Sequence, residues 1–256
     1  MIFETHAHYD DEAFDTDRDE ILSNMRNHGI EYVVNIGADI ASSKRTVELT
    51  KQYPYLYGAV GVHPDEVGEL DETKMDWLKK QCALDKIVAI GEIGLDYYWN
   101  KQESAVQKHW FERQMDLARE VKLPIIVHSR DAGKDTLDVM KSSKAEDLGG
   151  IIHCYGYSKE MAKEFVKMGY FLGVGGVVTF KNGRHLKETV EYIPLEYIVL
   201  ETDSPYLSPE PFRGKRNSSF NIPYIVKEIA HLKGITEEEV MKVTNQNAKR
   251  LFFKEG

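Results

Sequence analysis

Short apolar runs rich in Val and Ile recur along the chain at 2–8, 32–38, 56–63, 87–95, 124–129, 150–155, 170–178 and 198–202. They alternate only weakly with polar positions, as strands buried on both faces of a parallel sheet do. Longer amphipathic segments separate them. Ile21, Leu22 and Met25 share one helical face. Trp110, Met115, Leu117, Ala118 and Val121 mark a long helix, and Met161, Ala162, Phe165 and Val166 form another i, i+3, i+4 stripe. Ser158 is placed to cap that last helix, and Thr236 followed by Glu239 is a capping-box pattern near the C-terminus. Strand candidates that are each followed by a helical segment predict a closed (β/α)8 TIM barrel. An open doubly wound sheet is the alternative, but it calls for a Gly-rich phosphate loop after the first strand, and none is present. No linker, low-complexity stretch or charge block interrupts the pattern, so residues 1–256 are expected to form a single barrel domain.

Composition narrows the setting. The chain is 42% apolar and 29% charged, which is ordinary for a globular protein of 256 residues. No segment approaches the roughly 20 apolar residues of a membrane-spanning helix, so no membrane partner is expected. Residues 1–6 read directly as a strand, without the basic and apolar regions of a secretory signal. The two cysteines, Cys82 and Cys154, lie far apart, as in a reducing compartment. Together these features predict a cytoplasmic protein with no obligate protein partner. Cys154 adjoins His153 but has no dedicated second base, so it reads as a small buried thiol, not a nucleophile. The net charge of −9 rules out nucleic-acid binding through a global basic field. A polyanionic substrate would have to be handled locally.

The C-terminal ends of the predicted strands are polar. The first ends in His6-Ala7-His8, the third in His63-Pro64, and the fourth carries Gly91-Glu92-Ile93-Gly94-Leu95-Asp96. The fifth ends in His128-Ser129-Arg130-Asp131, the sixth in His153-Cys154-Tyr155, and the eighth in Glu201-Thr202-Asp203-Ser204-Pro205. On a barrel these ends converge on the face where such folds carry their active sites. A lone histidine there is usually a satisfied core residue, but repetition on strand after strand argues for a site. His6 and His8 are spaced to project from one face of a strand and chelate one cation. Glu92, His128, His153 and Asp203 supply further donors. Imidazole with carboxylate and no thiolate suits Zn, Mn, Ni or Co, and also Mg if water completes the shell. These donors exceed the needs of one tetrahedral ion, so two divalent cations about 3.5–4 Å apart with a bridging carboxylate are expected.

Thr5-His6-Ala7-His8, the Glu92 and His128 motifs, Leu200-Glu201-Thr202-Asp203-Ser204-Pro205 and Arg213-Gly214-Lys215-Arg216-Asn217 together resemble the TatD family of metal-dependent deoxyribonucleases, within the amidohydrolase-like barrels. The resemblance runs from Phe3 to Phe252. It implies that His6, His8 and Asp203 hold one ion, that His128 and His153 hold the second, and that Glu92 bridges them. It also implies that DNA is the substrate, with cleavage of phosphodiester bonds at ends or in single strands. Two positions depart from the family pattern. Glu4 stands where an aspartate is common, and Tyr155-Gly156-Tyr157-Ser158 replaces a Phe-Ser-Gly pattern after the sixth strand.

Asp203 and Glu92 are thus the candidate catalytic residues. Asp203 is placed to orient the attacking water or take its proton. Candidate substrate contacts are His63, Arg130, Arg213, Lys215 and Arg216, with Lys181 and Arg184 in neighbouring loops and Tyr97, Tyr98 and Trp99 available to stack a base. The same donors would also serve a hydrolase of a small ester, amide or lactone, and a non-enzymatic metal scaffold is a third reading. The basic residues after the eighth strand favour phosphate, and the donors outnumber the four of a closed structural site.

Overall fold

The computed structural model describes residues 1–253. Eight strands pair in parallel in chain order: β1 (Ile2–Ala7), β2 (Ile30–Ile36), β3 (Leu56–Val60), β4 (Ile87–Asp96), β5 (Ile125–Arg130), β6 (Gly150–Ile152), β7 (Tyr170–Val174) and β8 (Ile198–Leu200). Helices cover the outside. They are α1 (Arg18–Asn24), α2 (Ile40–Gln52), α3 (Glu72–Gln81), α4 (Ser104–Val121), α5 (Gly133–Ser142), α6 (Lys159–Lys167) and α7 (Arg184–Tyr192), and α8 (Ile222–Lys233) and α9 (Glu237–Phe252) both come after β8. This is the (β/α)8 barrel expected from the pattern. Ser158 caps α6 (Lys159–Lys167) through the amide of Met161, and Thr236 Oγ1 accepts from Glu239 N at 3.1 Å at the start of α9.

Alternation along each strand sorts the core into two layers. Phe3, Val34, Ile126, Ile151, Phe171 and Val199 point into the barrel. Their neighbours Ile2, Val33, Ile125 and Val127 pack outward against the helices. This is the period-2 division of a strand buried on both sides. Phe252 and Phe253 lie with ring centroids 5.8 and 5.5 Å from Phe3, so the end of α9 plugs the barrel where the strands begin. The opposite end stays open for chemistry.

Several strands stop earlier than the apolar runs suggest. β6 ends at Ile152, β7 at Val174 and β8 at Leu200. The polar residues that follow leave the ladder and turn over the barrel mouth, and Cys154 (φ 45°) and Asp203 (φ 58°) adopt the left-handed conformation as they do so. The barrel closes through this irregular segment. Asp203 N and Thr202 N donate to His6 O at 3.0 and 3.4 Å, and His8 N donates to Ser204 O at 2.7 Å. Among the described residues no helix is long and apolar enough to cross a membrane.

Candidate metal centre

Glu92 owes its position to an irregularity in β4. The β4–β5 register slips between Ile90 and Ile93, and such a bulge redirects a side chain. Gly94 completes the bend at φ 146°, where a Cβ would meet His128 O at 1.9 Å, so only glycine fits. The carboxylate, whose side chain is 5% exposed, then sits among four imidazoles. Oε1 lies 2.7 Å from His128 Nδ1 and 3.7 Å from His153 Nε2; Oε2 lies 3.5 Å from His6 Nε2 and 3.8 Å from His8 Nε2. Asp203 Oδ1 faces His8, His6 and His153 at 3.4, 3.7 and 3.7 Å. All six donors expected from the sequence therefore meet in one place, at the base of a cavity of about 710 Å³ at the open end of the barrel, which His6 backs and the other five line.

The groups behind the histidines fix their orientation. His8 Nδ1 lies 2.9 Å from Ile36 O and donates to it, so Nε2 is the nitrogen that faces Asp203 and the donor cluster. His128 Nε2 is held by Asp96 Oδ2 at 2.9 Å. His153 Nδ1 lies 3.1 Å from Glu201 Oε1, and that same oxygen accepts from Cys154 N at 2.7 Å. Glu201 is fully buried and fits only because β7 carries Gly173, where a Cβ would stand 2.1 Å from Glu201 Oε2. His6 and His153 stack at 3.4 Å between centroids. Glu4 lies beneath the site. It accepts from Thr202 N, Thr202 Oγ1, Ser219 Oγ and His6 N, tying β1 to the segment after β8, and burial lifts its pKa to about 8.

The electrostatics call for positive charge. Burial opposes protonation of His8, His128 and His153. The neighbouring carboxylates nevertheless outweigh it, with Asp203 acting on His8, Asp96 on His128 and Glu201 on His153, and these histidines are raised to about 9, 9 and 10. Burial likewise raises Glu92 and Asp203, but His153 leads the surrounding histidines in holding both below the usual carboxylate range. Ligand atoms of His6, His8 and Asp203 lie within 4.8 Å of one another, as do those of His6, His153 and Glu201 and those of His63, Glu92 and His128. Burial pushes the Cys154 thiol well up, and none of these ligand groups includes it. Imidazole and carboxylate groups at this spacing fit divalent cations.

The other expected contacts divide into two sets. His63 and Arg130 line the cavity. Asp65 N donates to His63 Nδ1 at 3.2 Å, and burial lowers His63 to about 3, so the ring is neutral and carries its proton on Nε2. Arg213, Lys215, Arg216, Lys181 and Arg184 do not line the cavity. Arg213 covers the Phe180 ring at 3.6 Å, Lys215 lies 5.8 Å from that of Phe212, and Arg216 pairs with Asp17 at 2.8 Å. Arg184 pairs along its own helix with Glu188 at 2.6 Å. The sequence reading missed Asp96, Glu201 and the cavity cations Arg45 and Lys101. The two carboxylates stood inside motifs already singled out. Arg45 and Lys101 sit on a helix and in a loop, with no local pattern to mark them.

The family described as "TatD related DNase" matches residues 3–253. The chain is 44% identical over 252 residues to the uncharacterized metal-dependent hydrolase YabD of Bacillus subtilis, covering 98% of this chain and 99% of the relative. It is 31% identical to the 3'-5' ssDNA/RNA exonuclease TatD of Citrobacter rodentium, with 93% of each covered. The solved structure of YjjV, a TatD homologue from Escherichia coli K12, superposes with a TM-score of 0.92 at 26% identity and covers 98% of this chain and 97% of that one. A barrel that gathers imidazoles and carboxylates at its open end and matches this family along nearly its whole length belongs to the TatD family of metal-dependent hydrolases.

Proposed function

We propose that the chain is a two-cation nuclease that hydrolyses phosphodiester bonds of DNA, from ends or in single strands. The observation that carries this reading is Arg130, which stands at the mouth of the donor cluster without a carboxylate partner among the described residues. A cation left unpaired beside a divalent-metal site suits a phosphate better than a neutral ester or amide. The name of the Citrobacter relative supports the same substrate class. His6, His8 and Asp203 would hold one cation, His128 and His153 the other, with Glu92 between them, and residues 1–256 would act as one domain.

Divalent cations bound there supply a water of lowered pKa and a Lewis acid for a phosphoryl oxygen. The protein's own groups do the rest. Neutral His63 donates from Nε2, and Arg130 pairs with phosphate oxygens. Asp203, ionised and with a side chain 17% exposed, orients the attacking water and takes its proton. Attack on phosphorus breaks the bond to the leaving sugar oxygen, which is protonated from solvent.

The test uses 5'-labelled and 3'-labelled single-stranded oligonucleotides with chelator-stripped protein and Mg, Mn or Zn added back. Cation-dependent shortening is expected, and the label gives its polarity. No cleavage of DNA, with turnover of a small ester or amide instead, would overturn the nuclease reading and keep the hydrolase. Asp96 gives a second expectation. Asp96→Asn should weaken cation binding about 10–100-fold, the usual effect of losing the group that orients a ligating histidine. Calorimetric titration with Mn checks it, and unchanged affinity would mean that Asp96 does not position His128.

A further inference from the structure

Two large aromatic side chains stand exposed on opposite rims of the cavity. Trp99 (59% exposed) follows β4, and Tyr206 (53% exposed) follows β8. In a barrel of eight strands paired in order, these two elements face each other across the mouth. Each ring is tied to one side of the donor cluster. Trp99 N donates to Asp96 Oδ1 at 2.9 Å, and the other oxygen of Asp96 holds His128. Tyr206 packs edge-on to His8 with centroids 6.4 Å apart, and its hydroxyl donates to Asp11 Oδ2 at 2.9 Å.

We infer that Trp99 and Tyr206 are two base platforms, one on each side of the scissile phosphate, and that the strand end lies on Tyr206. This inference rests on the nuclease reading above. A phosphodiester is flanked by two nucleosides, and a stacking ring on either side of the cations receives one base each. Duplex DNA offers no free base face, so the pair selects unpaired strands or ends. Charge sets the direction. Asp10, Asp11, Glu12 and Asp15 line the cavity beyond β1, next to the Tyr206 rim, and outnumber Arg45, which lies 3.5 Å from Asp10. They repel any further phosphate, so a terminal nucleoside fits there and a continuing chain does not. On the other rim Arg130 lies 3.9 Å over the Tyr98 ring and 5.7 Å from that of Trp99, placed to receive the next backbone phosphate.

The experiment removes bases from the substrate and rings from the protein. Three single-stranded oligonucleotides are compared with Mg or Mn present. One is intact, one lacks the base of the terminal residue at the end that is trimmed, and one lacks the base next to it. For the wild type, either loss should raise KM about tenfold. Tyr206→Ala should be insensitive to loss of the terminal base and still respond to loss of the next; Trp99→Ala should show the converse. Tyr206→Phe and Trp99→Phe keep a ring and should behave as wild type, which separates stacking from misfolding. Cleavage with a KM that ignores both bases, or alanine variants that respond as wild type does, overturns the inference and leaves the nuclease reading standing. If the wild type cleaves no oligonucleotide, both fall.

Discussion

Replacing Glu92 with glutamine should lower kcat about a thousandfold or more with the fold intact. Among the described residues no other carboxylate lies within 4 Å of four imidazoles, two around each oxygen. An amide of the same size keeps the packing and the bulge of β4, but it removes the negative charge and turns one oxygen into a donor. That donor would point at nitrogens that must themselves present lone pairs to a cation. Both proposed cation positions lose a ligand in one substitution, so activity and bound metal should fall together. Steady-state kinetics beside metal analysis of the purified variant checks this. A variant that keeps more than a tenth of wild-type kcat with full metal content would show that Glu92 is not the bridge.

Asp203→Asn should cost roughly 10²–10⁴ in kcat, the range of a lost general base, while at least one cation is retained. Asp203 is the more open of the two central carboxylates, with 17% of its side chain exposed against 5% for Glu92, which puts it toward water. Its backbone sits at φ 58°, a region that asparagine tolerates better than most residues, so this substitution tests the carboxylate without adding strain. The histidines hold Asp203 ionised, and the proposed role as proton acceptor depends on that. Full activity of the variant with both cations bound would remove Asp203 from the proton-transfer step.

The site donors were legible because strand-end chemistry repeats. His6-Ala7-His8 projects two rings by strand periodicity alone, and each later run ends in its own donor. The ends of the shorter strands were not legible. Apolar character continues through Val178, but backbone pairing in β7 stops at Val174, because the chain there turns in a 3-10 helix at Gly176–Thr179. The groups that orient the histidines were hidden for a different reason. Asp96 and Glu201 read as further polar residues of their motifs until the fold set one behind His128 and the other behind His153. The basic residues after β8 read as a phosphate cradle by position, yet their partners Asp17 and Phe180 are far off in sequence and hold them away from the cavity.

The seam where the barrel closes has a consequence for how the molecule holds together. β8 itself is three residues long, and the first and last strands are joined by the same residues, His6, His8 and Asp203, whose side chains make up one half of the donor cluster. A cation held by these three side chains, as proposed, would be a cross-link between points nearly the whole barrel apart along the chain. It acts as a disulfide does, removing more freedom from the open chain the longer the loop it ties off. Metal loading should therefore slow hydrogen exchange at the amides of His8 and Asp203 far more than at those of β5 or β6. With the proposed ligands, the reagent of catalysis would double as the clasp of the fold.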